Sequence, residues 1–438
     1  MGAMAWVLVA AFGAVTLAAP RRMAFLLWPV ILLYPQNLLY GLLPANVGLD
    51  DILILLLGVR ILISSDTTRR DRVRPVVALA LALWLMQTLA EATGLLRYPD
   101  LLPEMVKAAL KGGVFIIFAI LMAALIRTPR DIERFTTSFL VALTASFVVV
   151  ILCFMAPSLG QYWEVTKYTL EDRIRLGAGW RSFGPFPGPA AAGLMVCLTV
   201  PLWLGVLLHR PQRPLHKNLA FAGIFLALTV LVLCKSRAAI TGLGGMFLLM
   251  SLLSRRRAWI VVLMVTVVLI GTFVFNTSAD VLSAVGSRLD RDTMNVDLAT
   301  RAYLWKVIIT NPSFAIPLFA EGGPALSRRL DVSPHNGYLD VIFTWGLGGI
   351  IIFCVLYSRL LKWSRRVARD DPYPLSRALA WGLLWGTVSI AIYAISADPW
   401  YITNYRFAIY FLLTIVYLRY RTLHRVRGRS AAPQQAHR

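Results

Sequence analysis

The sequence predicts an all-α polytopic membrane protein with about 12–13 transmembrane helices and a long outer loop that folds as a cap. Three observations predict it. Of 438 residues, 58% are hydrophobic and only 15% charged, more apolar surface than a soluble domain can bury. The apolar residues fall into runs of helical length, and one span needs roughly 20 of them. Alternating strands of about ten residues, the mark of a membrane β-barrel, are absent. Soluble enzymes, secreted disulfide scaffolds and disordered chains are thereby excluded. The net charge of +22 fits nucleic-acid binding, an anionic substrate or inward-facing loops, and topology has to choose among them.

In chain order the spans fall near 4–19, 23–43, 50–63, 75–91, 104–126, 135–156, 189–208, 219–234, 238–253, 259–275, 336–360, 378–396 and 404–420. Thirteen alternate across the membrane, or twelve if one of the first three is re-entrant. The first run lacks the basic lead-in of a signal peptide and is followed by many more spans, so it reads as a helix. The short linkers at Arg21-Arg22, Arg69 to Arg74, Arg127 to Arg134, Arg210 to Lys217, Arg255 to Arg257 and Lys362 to Arg377, and the tail from Arg419, all fall on one side. An excess of Lys and Arg marks the cytoplasm. The inner side holds about 28 basic and 6 acidic residues, the outer side about 16 of each. The charge is therefore topological, and no nucleic acid is expected as a partner.

The chain divides into N-terminal transmembrane helices (1–156), a first outer loop (157–188), central helices (189–275), a large outer loop (276–335), C-terminal helices (336–420) and a basic cytoplasmic tail (421–438). Cys153, Cys197, Cys234 and Cys354 sit in or at the ends of spans, with no disulfide framework and no Cys/His cluster for a metal. Asp290-Arg-Asp292 reads as a DxD, but three residues in a charged loop carry little information, and neither metal nor cofactor is expected.

Of five histidines, His209, His216, His424 and His437 lie in basic cytoplasmic segments. Only His335 faces outward. It stands where the long loop re-enters the membrane, at a helix start after Ser333-Pro334. An imidazole there can act as a general base or a hydrogen-bond donor. Asn336 and Asp340 share one helix face just beyond it. Gly346 and Gly349 would let another helix approach closely. Upstream, Arg301 and Trp305 are i,i+4 on a short helix ending at Asn311-Pro312. The indole can support the guanidinium and leave its donor fork for an anion such as phosphate. Arg237 follows Lys235-Ser236 in a tight outer turn, Arg181 precedes the span at 189, and the large loop adds Arg288. Several convergent arginines suit a diphosphate. Asp340 and Asp398, near the outer surface, are the intramembrane acids, and their scarcity argues against an ion-coupled transporter.

These residues, in this order and topology, resemble the O-antigen ligase/polymerase superfamily of bacterial membrane glycosyltransferases. The H-N-x-x-L then G-x-x-G ending is His335, Asn336, Leu339, Gly346 and Gly349. The R-x-x-x-W with a following proline is Arg301, Trp305 and Pro312. The serine-arginine turn between helices is Ser236-Arg237-Ala238-Ala239. The R-x-x-G-x-F-x-x-P segment is Arg181, Gly184, Phe186 and Pro189. Two departures stand out: Thr344 where many members have an acid, and Gly322-Gly323 displaced from the usual G-x-G.

The resemblance implies a GT-C-like fold in the inner (cytoplasmic) membrane with its active site facing the periplasm. It implies an undecaprenyl-diphosphate-linked glycan as donor and a glycan or lipid A-core hydroxyl as acceptor. The product would be an exopolysaccharide or O-antigen polymer, or ligated O-antigen. Other polysaccharide-assembly proteins are candidate partners. His335 and Arg301 would be catalytic; Arg237, Arg181, Arg288, Asn336 and Trp305 would bind diphosphate or sugar, with no metal. The competing reading is a flippase or transporter of lipid-linked oligosaccharide, which needs a polar path through the bilayer centre.

Overall fold

The computed structural model describes residues 10, 13–14, 27–34, 49–63, 74–126, 128–163, 182–209, 214–253, 305–306, 320–330, 336–399 and 403–431. Among these, regular structure is helical throughout. The elements are α1 (Leu27–Leu33), α2 (Leu49–Ile63), α3 (Arg74–Arg97), α4 (Leu102–Leu125), α5 (Pro129–Met155), α6 (Pro157–Trp163) and α7 (Pro189–Leu208). There follow α8 (Pro214–Cys234), α9 (Arg237–Leu253), α10 (Gly323–Leu330), α11 (Gly337–Asp370), α12 (Pro374–Tyr393) and α13 (Thr403–Ala431). A 3₁₀ turn, Pro99–Leu101, links α3 to α4.

Seven of the described helices are long and apolar enough to cross a membrane, and α9 is a shorter apolar one. The protein is an all-α polytopic membrane protein. The expected spans at 4–19 and 259–275 lie outside the described residues, save residues 10 and 13–14. The others fall on α1–α5, α7–α9 and α11–α13.

Helix starts are set by proline, whose missing N–H costs nothing in the first turn. Pro129, Pro157, Pro189, Pro214 and Pro374 each open a helix. Helices overrun the hydropathy windows at the basic end because charged turns outside the membrane stay helical. The α5 start shows how: Thr128 and Asp131 form a capping box, with Asp131 N–H donating to Thr128 Oγ1 (3.2 Å) and Thr128 N–H donating to Asp131 Oδ2 (2.8 Å).

The core is aromatic. Trp28 packs on Phe139 (4.5 Å between ring centroids), Phe411 (5.0 Å) and Phe118 (5.9 Å), joining α1, α5, α13 and α4. Helix α13 is buried on every side over residues 405–416. Exposed large apolar residues recur every four residues elsewhere: Leu81, Leu85 and Leu89 on α3, Phe221 and Phe225 on α8, Leu347, Ile351 and Val355 on α11. Such stripes would be anomalous in water, and they read as lipid-facing surface.

Helix ends expected on one side of the membrane do meet. At the basic end Asp371 holds Arg419 through two hydrogen bonds (2.6 and 2.7 Å), and Thr137 Oγ1 lies 2.8 Å from His216 Nε2.

The element α11 differs from the single rod expected over 336–360. Gly346 has φ 78° and ψ −171°, inside what is otherwise helix. Tyr338 lies within electrostatic reach of Cys354 and Tyr357. A continuous helix would hold the first pair about 24 Å apart. So the chain turns back at Gly346, and a short helix (337–345) lies against the long one (347–370). Gly349 serves the same turn: a Cβ there would collide with Trp345 Cβ. The two glycines admit α11's own preceding turn rather than another helix.

Candidate functional site at one end of the bundle

The start of α7, the starts of α9 and α11 and the end of α12, all expected on the outer side, are tied together by close contacts. Gly193 lets the first turns of α7 rest on the serine-arginine turn; a Cβ at Gly193 would lie 2.7 Å from both Ser236 Cβ and Oγ, and 2.8 Å from Ala239 Cβ. That turn is tight. Lys235 takes φ 49°, and the Ser236 carbonyl accepts from Ala239 and Ile240 N–H (3.1 Å each), opening α9. Lys235 and Ser236 are buried and Arg237 is half-buried.

Tyr393, fully buried at the end of α12, donates to the Ala190 carbonyl at the start of α7 (2.9 Å). Gly242 of α9 packs against Tyr393 Cβ and the Ser389 carbonyl. The next residues receive α11: Gly337 N–H donates to the Ala394 (2.8 Å) and Ala397 (3.1 Å) carbonyls. The arrangement therefore gathers the helix starts carrying Arg237 and Asn336 at one end of the bundle.

Asn336 is the N-cap of α11. Its Oδ1 accepts from Tyr338 and Leu339 N–H (3.1 Å each), and its Nδ2 donates to the Ile395 carbonyl (3.0 Å). Tyr338 adds a bond from its hydroxyl to the Ala391 carbonyl (2.8 Å). The start of α11 is thus anchored on α12 and on the residues just after it. Asp340 follows one turn later and is buried.

Residues 182–188, just before α7, form an anchored turn. Ser182 Oγ donates to the Val150 carbonyl (2.8 Å), Gly184 adopts φ 52° over Val150 Cα, and Phe186 packs near Phe147. A side chain at Gly184 would meet that backbone at 2.9 Å. Gly184, Phe186 and Pro189 each have a structural reason here, and Arg181 stands immediately before the turn.

Of the expected site residues, Arg237, Asn336 and a half-buried Trp305 are described. His335, Arg301, Arg181 and Arg288, with Asp290 and Asp292, lie outside the described residues. Among the described residues no group of three or more His, Cys, Asp or Glu comes together.

Among the buried charges that the sequence reading did not name are Glu91 and Arg406. Glu91, near the C-terminal end of α3, is 4% exposed and meets Gly322 and Gly323. Arg406, in the first turn of α13, is 9% exposed, with its guanidinium 3.8 Å from the Phe115 ring centroid. The available signal was a charged residue near the end of an apolar run. That position also allows snorkelling to water, and only the packing separates the two cases.

Fold and site together define a multi-pass all-α membrane protein in which the helix starts carrying Arg237 and Asn336 lie at one end. The particular likeness lies in one segment: residues 222–354 match the family model for O-antigen ligase. That segment contains Arg237, Arg301, Trp305, His335, Asn336, Gly346 and Gly349. It supports the O-antigen ligase/polymerase superfamily, a glycosyltransferase-like enzyme, and lipid-linked glycan and bilayer as what such an enzyme meets. No curated protein matches the chain.

Proposed function

We propose that the protein is a glycosyltransferase of the inner membrane that takes an undecaprenyl-diphosphate-linked glycan and polymerises it or ligates it to an acceptor at the periplasmic face. The observation that carries this reading is the O-antigen ligase match over 222–354. The clustering of its helix starts supports it. The domain division given above goes with it: the large outer loop (276–335) caps the site, and the basic tail stays cytoplasmic.

The acceptor hydroxyl oxygen bonds to the anomeric carbon as the bond from that carbon to the diphosphate oxygen breaks. The hydroxyl proton passes to His335, with general-base assistance worth roughly 10²–10⁴-fold. The electron pair leaves on the lipid diphosphate. Arg301, Arg237, Arg181 and Arg288 neutralise it as a preorganised clamp that requires no metal. Trp305 supports the Arg301 guanidinium. The hydrogen bonds of Asn336 favour orienting His335 over gripping a sugar, since they fix the backbone on α12.

His335→Ala is expected to abolish glycan transfer while membrane insertion stays normal, read from the glycan profile and from the amount of protein in the membrane. Arg301→Lys is expected to fail as well, because an ammonium cannot replace the planar fork. Retained product in His335→Ala removes the base. The profile of a deletion strain separates the outcomes: single repeats on the core mean a lost polymerase, and long chains left on the carrier a lost ligase. Loss of a secreted polymer with unchanged lipopolysaccharide means an exopolysaccharide enzyme.

A further inference from the structure

Glu91 lies outside the segment that carries the family likeness, yet it grips that segment. Its Oε1 accepts from Gly323 N–H (3.3 Å) at the start of α10. Its Oε2 is buried and has no hydrogen-bond partner among the described residues. Gly322 takes φ 80°, and a Cβ there would collide with Glu91 Oε2. Gly322 N–H in turn donates to the Thr344 carbonyl (3.0 Å), two residues before the turn-back at Gly346. Gly94, one turn beyond Glu91, has no room for a side chain beneath the Glu321 carbonyl. Chain segments 321–323 and 344–346 are thus stacked on α3 through one carboxylate and three glycines.

A carboxylate at a helix N-terminus is favourable in itself. A cap from the loop's own residues would achieve that in water without burying an acid. Here the acid comes from an apolar helix, about 9 Å below its outer end. Burying a carboxyl with one oxygen unpartnered is expensive, and acids held inside membrane bundles generally serve function.

We propose that Glu91 is a positioning residue: it seats the end of the large outer loop on the turn-back of α11, and so sets the aim of the short helix that begins at Asn336. The N-terminal helices are then part of the site although the family likeness lies elsewhere. The effect on turnover rests on the glycan-transfer reading above; the seating itself does not.

The test uses the full-length protein in lipid nanodiscs, as Glu91→Ala, Glu91→Gln, Gly323→Pro and the double variant Glu91→Ala/Gly323→Pro. Proline is tolerated at the first helical position but brings no N–H. Gly323→Pro therefore removes the donor with Glu91 intact, and it serves if Glu91→Ala fails to fold. Amide exchange over 325–330 is expected to rise about tenfold in Glu91→Ala and in Gly323→Pro, with no further rise in the double variant, because one bond is being removed. Glu91→Gln keeps an acceptor oxygen and should stay within about threefold of the parent. With a lipid-linked glycan donor, kcat should fall about tenfold in Glu91→Ala and Gly323→Pro while the donor KM changes less than about threefold, at an unchanged melting temperature. Unchanged exchange overturns the seating. Faster exchange with unchanged kcat overturns the positioning role. Transfer retained by His335→Ala would undo the base assignment and leave the exchange result standing.

Discussion

Gly346 shows what a single residue decides. At φ 78° and ψ −171° it occupies backbone space that is essentially closed to side chains. Gly346→Ala is expected to destabilise the protein by about 1–3 kcal/mol, seen as a lower melting temperature in detergent, and to lower transfer by redirecting residues 337–345. An unchanged melting temperature would mean that the turn-back can straighten without strain. The spacing of Gly346 and Gly349 was legible in the sequence, but its use was not. A G-x-x-G reads equally as a groove for a neighbouring helix, and only the dihedral at Gly346 and the crowding of Trp345 on Gly349 distinguish the two. Asn336 is the opposite case. The sequence placed it at the start of a helical run, and the three hydrogen bonds of its amide make it the cap of that helix.

Helix pairs are decided by small residues at crossings. Helices α7 and α12 approach until a Cβ at Gly382 would lie 2.5 Å from Leu202 Cα and 2.8 Å from the Pro201 carbonyl, while one at Gly205 would collide with the Ala378 carbonyl. Backbone atoms cannot move aside as a flexible side chain can. Gly382→Val is expected to cost about 1–3 kcal/mol by overpacking, read as a lower melting temperature. Gly244 is the control: a side chain there meets nothing within 4 Å, so Gly244→Ala should be neutral or stabilise α9 by up to about 1 kcal/mol. Span positions were legible because apolar runs of about 20 residues have few other uses. Helix ends were less so. Hydropathy reports the membrane-embedded stretch, whereas α5 begins six residues before its expected span, at Pro129, and α11 runs ten residues past its own, to Asp370.

Across the whole molecule, contacts between distant parts of the chain fix residues 321–328 to the bundle. Arg97 pairs with Glu321, and Arg328 pairs with Asp100. The Arg97 and Arg328 guanidiniums also stand 5.7 and 5.4 Å from the Tyr98 ring centroid. The hydrogen bond from Arg328 holds the Asp100 carboxyl below its ordinary range. A depressed carboxylate contributes at pH above its unfolded value, and the contribution is lost as pH falls through its folded value. Asp100→Asn should therefore melt slightly below the parent at pH 7, with the gap closing as pH drops below the usual aspartate range. A gap independent of pH would show that the pair does not stabilise the loop through charge. The pair is exposed, so the gap should also shrink in high salt.

The sequence by itself determined the class of fold, the order of the apolar helices that the structure describes and the family likeness. All of these follow from local composition and short spacings. Only the tertiary structure decided that α11 turns back at Gly346, that α13 is wrapped on all sides, and that Glu91 and Arg406 lie inside the bundle. Burial depends on which residues from remote segments arrive at the same place. Glu91 stands 232 residues before its hydrogen-bond partner Gly323, a separation that no periodicity along the chain encodes.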